Sequence, residues 1–203
     1  MQSTHALLCL GDSYTIGESV QTIENFPNQT VRLLRKDGFR FQDPEIVAKT
    51  GWTTDELQDA INKHHFKESY DFVTLLIGVN NQFRGRTVED YKPEFESLLM
   101  QAIQFASGKT DHVIVLSIPD WGVTPFAKDR DTNQIAIEID QYNSVNKSIA
   151  ESYKTNYINI TPATRKASND SSLIAIDGLH PSAKEYAGWS EQLSFLIKSL
   201  IKE

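Results

Sequence analysis

Four short clusters along the chain carry side chains capable of chemistry, and each sits beside an apolar run or ahead of a helical stretch. Gly11-Asp12-Ser13-Tyr14 offers a hydroxyl, and Lys49-Thr50-Gly51-Trp52-Thr53-Thr54 a glycine whose N–H is open to close approach. Gly78-Val79-Asn80-Asn81 offers a side-chain amide, and Asp177-Gly178-Leu179-His180-Pro181 a carboxylate three residues before an imidazole. A serine hydroxyl is a weak nucleophile until a base takes its proton. His180 is the natural base, because it alone among the histidines follows a carboxylate at turn spacing. That spacing lets Asp177 hold the second imidazole N–H, which fixes the tautomer and stabilises the imidazolium. Acyl transfer also needs donors aimed at a developing oxyanion. The N–H of Gly51, the amide of Asn80 and the N–H of Ser13 itself are the candidates. Each residue has a plainer reading: Ser13 as a helix cap, Gly51 as a turn glycine, Asn80 bracing its own loop, Asp177 and His180 as a surface turn and cap. Those readings do not predict that all four clusters fall together.

The elements that would position them alternate between short β-rich runs and longer helical stretches. The first strand is expected over residues 5–10, with Gly11 supplying a tight turn into a helix at Asp12-Ser13. Later strands are expected near 45–48, 72–77, 113–117 and 157–160, the third apolar at nearly every position, as in a central parallel strand. Helices are expected over 25–36, from Thr53 through Ile61, from Thr87 to Gly108, over 134–154, and from Pro181 to the end. The last carries the clearest amphipathic stripe, Tyr186, Trp189, Leu193, Leu196, Ile197 and Leu200. The stretches 118–133 and 161–176 read as long loops. Five strands separated by helices imply a three-layer α/β/α architecture, a flavodoxin-like parallel sheet in the order 2-1-3-4-5 with helices on both faces. Ser13 and Asn80 would then flank the topological switch point at the carboxyl edge.

The whole chain, at 203 residues, suits one domain spanning 1–203. A formal net charge of −7 argues against nucleic acid as a partner. No apolar run reaches the length of a membrane span. The start, Met1-Gln2-Ser3-Thr4-His5, lacks the features of an export signal, so a cytoplasmic location is expected. Cys9 is the single cysteine, which leaves no disulfide framework and no thiolate metal cluster.

The four clusters together resemble the SGNH hydrolases, also called the GDSL esterase/lipase family. Ser13 in GDSY matches the nucleophile block, Gly51 in TGWTT the second, Asn80 in GVNN the third and His180 in DGLHP the last, with Asp177 as the third triad member. The resemblance implies hydrolysis of a carboxylic ester through an acyl-enzyme, without metal or cofactor, with Ser13, Gly51 and Asn80 forming the oxyanion hole. Tyr14 stands where the family has Leu, and Asn81 where it often has Asp. The expected substrate is a small or medium acyl ester. A lysophospholipase or thioesterase activity suits the same machinery, and a non-catalytic flavodoxin-like ligand binder is the rival from another class.

Tyr14, Trp52, Phe83 and Trp121, with Phe126, are candidate walls of a substrate pocket, or else anchors of their loops. Arg84 and Arg86 are candidates to meet an anionic substrate group, or solvated surface. Asp12 reads as a hydrogen-bonding brace for the first turn. His64 and His65 close a helix and are not read as metal ligands.

Overall fold

The computed structural model describes residues 4–201; the first part of the segment from which the lack of an export signal is read lies outside them. β1 (Leu7–Asp12), β2 (Glu45–Lys49), β3 (Phe72–Leu76), β4 (Val113–Leu116) and β5 (Asn156–Ile158) form one sheet in the order β2-β1-β3-β4-β5. Every pairing is parallel. This is the expected topology, and its reason is visible in burial. Every residue of β1, β3 and β4 is buried, so these strands need cover on both faces.

The cover comes from helices in chain order. After the single turn α1 (Ser13–Ile16), α2 (Phe26–Lys36) crosses one face. α3 (Thr54–Lys63), the short α4 (Val79–Phe83), α5 (Val88–Phe105) and α6 (Thr132–Ser152) follow. The chain ends through α7 (Thr161–Thr164) and α8 (Ala183–Ile201). α2 packs on α8, while α5 packs between α3 and α6, the arrangement that right-handed crossovers dictate for this strand order. Trp189 of α8 is fully buried against Phe26 of α2 at a ring distance of 6.0 Å. On the other face the Tyr91 hydroxyl of α5 lies within hydrogen-bond reach of both the Ile77 carbonyl, at 2.9 Å, and Asn146 Oδ1 of α6, at 2.6 Å. Both helices are thereby pinned to the carboxyl end of β3.

Three local features differ from the sequence reading. β1 does not stop at Leu10. It runs through Gly11 and Asp12, with Gly11 beside Leu76 and Ala48 in the ladder. Gly11 serves close approach rather than an unusual torsion: a Cβ there would collide with the Leu76 carbonyl and the Thr15 side chain. The residues after β3 form α4 rather than a loop. The stretches 118–133 and 161–176 contain 3₁₀ turns at Trp121–Val123, Pro125–Ala127, Arg165–Ser168 and Ser171–Leu173, besides α7. Periods of 3.6 are invisible in segments of three to five residues, which is why no pattern announced them.

Gly11→Ala forces β1 away from β3 at the point where Ser13 is presented. We expect a loss of about 1–3 kcal/mol, read as a lower urea midpoint with unchanged slope.

Candidate active site

Ser13 owes its position to the extended β1. Asp12 is the N-cap of α1, its Oδ1 accepting the Tyr14 N–H at 3.0 Å, so Ser13 is the first residue of the turn that leaves the sheet. The brace expected of Asp12 is there. At the other end of the chain, Asp177 to His180 form a compact turn in which Asp177 Oδ1 accepts the N–H groups of Leu179 and His180, both at 3.0 Å. Asp177 Oδ2 lies 2.6 Å from His180 Nδ1. His180 Nε2 lies 2.9 Å from Ser13 Oγ. With the proton on Nδ1, the imidazole donates to the carboxylate and presents a lone pair to the hydroxyl. Ser13 and His180 are buried, at 4% and 7% exposure, so this contact is shielded from water.

Burial alone would raise the Asp177 pKa. Hydrogen bonds from Ser19, from His180 and from two backbone N–H groups outweigh it and hold the carboxyl well below the usual range. Tyr14, 3% exposed, sets its ring edge-on to His180 at 5.5 Å. Its phenol is pushed up, first by burial and then by the carboxylates around it.

Gly51 and Asn80 face the same cleft as Ser13 and His180. Gly51 stands at φ +84, third in a turn closed by the Trp52 N–H on the Lys49 carbonyl at 3.2 Å. That is the geometry of a type II turn, which glycine fills without strain. Three groups hold this turn. Arg84 Nη2 donates to the Gly51 carbonyl at 2.7 Å, Asn80 Nδ2 to the Trp52 carbonyl at 2.9 Å, and the Thr50 hydroxyl to Glu18. Asn81 adds a fourth link, accepting from the Thr54 N–H at 3.1 Å and donating to Thr54 Oγ1 at 2.6 Å. The second and third clusters are thus stitched together by Asn80, Asn81 and Arg84.

The cleft measures about 140 Å³. Tyr14, Val79 and Leu179 line it with Phe83, Trp121 and Phe126. The last three form an aromatic cluster, with ring distances of 5.4 Å from Phe83 to Trp121, 6.0 Å from Trp121 to Phe126 and 6.2 Å from Phe83 to Phe126. The Trp121 indole N–H donates to Gln82 Oε1 at 2.8 Å, and Gln82 donates to Glu138 at 2.6 Å. Gln82 and Ser19 carry no motif, and nothing in their sequence surroundings marks them. Trp52 is not among the lining residues; its ring packs on the core and its carbonyl serves Asn80. The arginines are engaged elsewhere. Arg84 pairs with Glu56 at 3.2 Å and Arg86 with Asp55 at 2.6 Å, and the Arg86 contact draws the Asp55 carboxyl down to about 2. Asp120 is buried against Arg165 at 2.8 Å, outside the cleft. Among the described residues no group of three or more His, Cys, Asp or Glu side chains is placed to hold a metal, and no helix is long and apolar enough to cross a membrane.

The fold is shared with several solved structures. TesA superposes with a TM-score of 0.75 at 18% identity, covering 96% of this chain and 99% of that one. The psychrotrophic esterase EstA from Pseudoalteromonas sp., in a structure inhibited by monoethylphosphonate, gives 0.71 at 16%, covering 98% and 100%. Axe2, an acetylxylan esterase from Geobacillus stearothermophilus, gives 0.69 at 20%, covering 96% and 94%. These likenesses establish the fold. A search of curated proteins found no match. The family model of the GDSL-like lipases and acylhydrolases matches residues 9–187, and the chain belongs to that family. It is a hydrolase acting on ester bonds.

Burial pushes the Asp12 carboxyl from 3.8 up to about 7, against the Tyr14 N–H that favours its charged form. Its Oδ2 meets no hydrogen-bond partner among the described residues. The folded state therefore keeps a proton that the unfolded chain releases between about pH 4 and pH 7, and this group's contribution to stability falls as pH rises through that window. We expect Asp12→Asn to flatten the fall, seen by comparing urea midpoints at about pH 4 and about pH 8.

Proposed function

We propose that residues 1–203 are a single serine esterase domain that cleaves esters of short acyl groups through an acyl-enzyme. The observation that carries this reading is the continuous contact from Asp177 Oδ2 to His180 Nδ1 at 2.6 Å and from His180 Nε2 to Ser13 Oγ at 2.9 Å. Ser13 attacks the carbonyl carbon while its proton passes to His180 Nε2. The imidazolium so formed is stabilised by Asp177. The carbonyl oxygen becomes an oxyanion, met by the N–H groups of Ser13 and Gly51 and by the Asn80 N–H not given to Trp52. His180 then returns the proton to the leaving alcohol, and the acyl group stays on Ser13. Water, activated by the same imidazole, releases it.

The size and lining of the cleft support the short acyl group. The open cleft of about 140 Å³, walled in part by Phe83, Trp121 and Phe126, suits a short apolar acyl group. A long acyl chain, as in a lysophospholipid, would extend beyond it. Tyr14 completes the wall beside His180.

With p-nitrophenyl acetate, Ser13→Ala and His180→Ala are expected to lose measurable turnover, and Asn80→Ala to lose about 10²–10³ in kcat. Full activity in Ser13→Ala sinks the mechanism. Across p-nitrophenyl esters, kcat/KM should peak at short chains and fall at least about tenfold by dodecanoyl. A peak at long chains or at thioesters favours the lysophospholipase or thioesterase reading.

A further inference from the structure

Ser19 belongs to none of the four clusters, yet it touches the candidate triad. Its hydroxyl donates to Asp177 Oδ2 at 2.6 Å, the same oxygen that faces His180 Nδ1. The residue pays for this reach with a backbone φ of +66, one of three non-glycine residues at positive φ among those described. Side chains rarely adopt that region, and such outliers gather where the surrounding structure uses them. The Ser13 carbonyl accepts the N–H groups of Gly17 and Glu18 at 3.1 and 3.0 Å. The segment from Ser13 to Ser19 is therefore one folded unit that presents a hydroxyl to His180 at one end and a hydroxyl to Asp177 at the other.

Building on the Ser13–His180–Asp177 reading, we propose that Ser19 is a positioning residue for the reaction, holding the Asp177 carboxylate in register with His180 and moderating its pull on the imidazolium. With Leu179 and His180 N–H groups on Oδ1, and Ser19 and the imidazole on Oδ2, the carboxylate accepts four hydrogen bonds and has no freedom to rotate. A hydroxyl donated to Oδ2 also withdraws charge from the oxygen that stabilises the protonated imidazole. Removing it leaves three of the four hydrogen bonds, loosening the carboxylate, and makes it a stronger partner for the imidazolium. The first effect lowers the rate, and the second moves the acid limb of the pH profile upward. The other titratable groups around this turn are Tyr14 against the His180 ring, Tyr186, Asp12, Asp120 and Glu185, and Glu18, which accepts from Thr50.

Kinetics with p-nitrophenyl acetate across pH test this. Ser19→Ala and Ser19→Gly are each expected to lower kcat about tenfold with little change in KM. The acid limb of kcat/KM should rise by a few tenths of a pH unit, about the effect of losing one donor. Ser19→Gly relieves the backbone and should melt no lower than the parent, which separates the missing hydroxyl from misfolding. Ser19→Asn, which tolerates positive φ and supplies an N–H donor, should recover part of kcat. If Ser13→Ala is inactive but both Ser19 variants keep the parent kcat, or lose rate with the acid limb unmoved, the Ser19 role is overturned alone. If Ser13→Ala keeps full turnover, the underlying mechanism falls and this role falls with it.

Discussion

A single contact of 2.9 Å, between Ser13 Oγ and His180 Nε2, joins positions 167 residues apart. Everything else in the molecule can be read as the means of closing that distance. The parallel sheet brings every strand's carboxyl end to one edge, so the segments that follow β1, β2 and β3 emerge side by side. α8 then carries the chain's far end back onto α2, where Gln29 Nε2 donates to the Ala183 carbonyl at 3.0 Å just beyond His180. The turn ahead of it is held again by the Phe126 N–H on the Gly178 carbonyl at 3.0 Å. An encounter between two loops would carry a large ordering cost in a looser chain; here the surrounding hydrogen bonds have already met it.

The same economy applies to the donors. A backbone N–H and a side-chain amide stabilise developing charge only if they need not reorganise to reach it. The Gly51 turn is fastened to α4 through Arg84 and Asn80, and the start of α3 through Asn81. Trp121 is fastened through Gln82 to Glu138 on α6. Rigid supports of this kind hold a cleft's shape more closely than mobile loops would.

Much of this was legible in the residues. The strand order, the helix layers and the edge on which the clusters lie followed from apolar runs and capping residues. Ser13, Gly51, Asn80, Asp177 and His180 stand out because their groups complement one another, and the fold brings Ser13, Gly51, Asn80 and His180 to one cleft with Asp177 bonded to the imidazole. Periodicity could not show α4 or the 3₁₀ turns, which are too short to complete a repeat. Nor could it separate Trp121, which lines the cleft, from Trp52, which packs on the core, since both are aromatic residues in connecting segments. Gln82 and Ser19 carry no local signal for a different reason. Their partners lie 39 and 158 residues away, and no local pattern encodes a contact at that separation.

The pairing of Arg84 with Glu56 and of Arg86 with Asp55 has an electrostatic consequence. Both of these guanidinium groups are matched by carboxylates from α3, while Arg130 lies over the Phe83 ring at 5.9 Å. What an approaching molecule senses from a distance is the chain's overall excess of acid, a formal charge of −7. Field of that sign slows the diffusional arrival of anions, more so in dilute salt, and leaves neutral esters unaffected. Selection against anionic molecules thus begins in the solvent, before any atom of the cleft is touched.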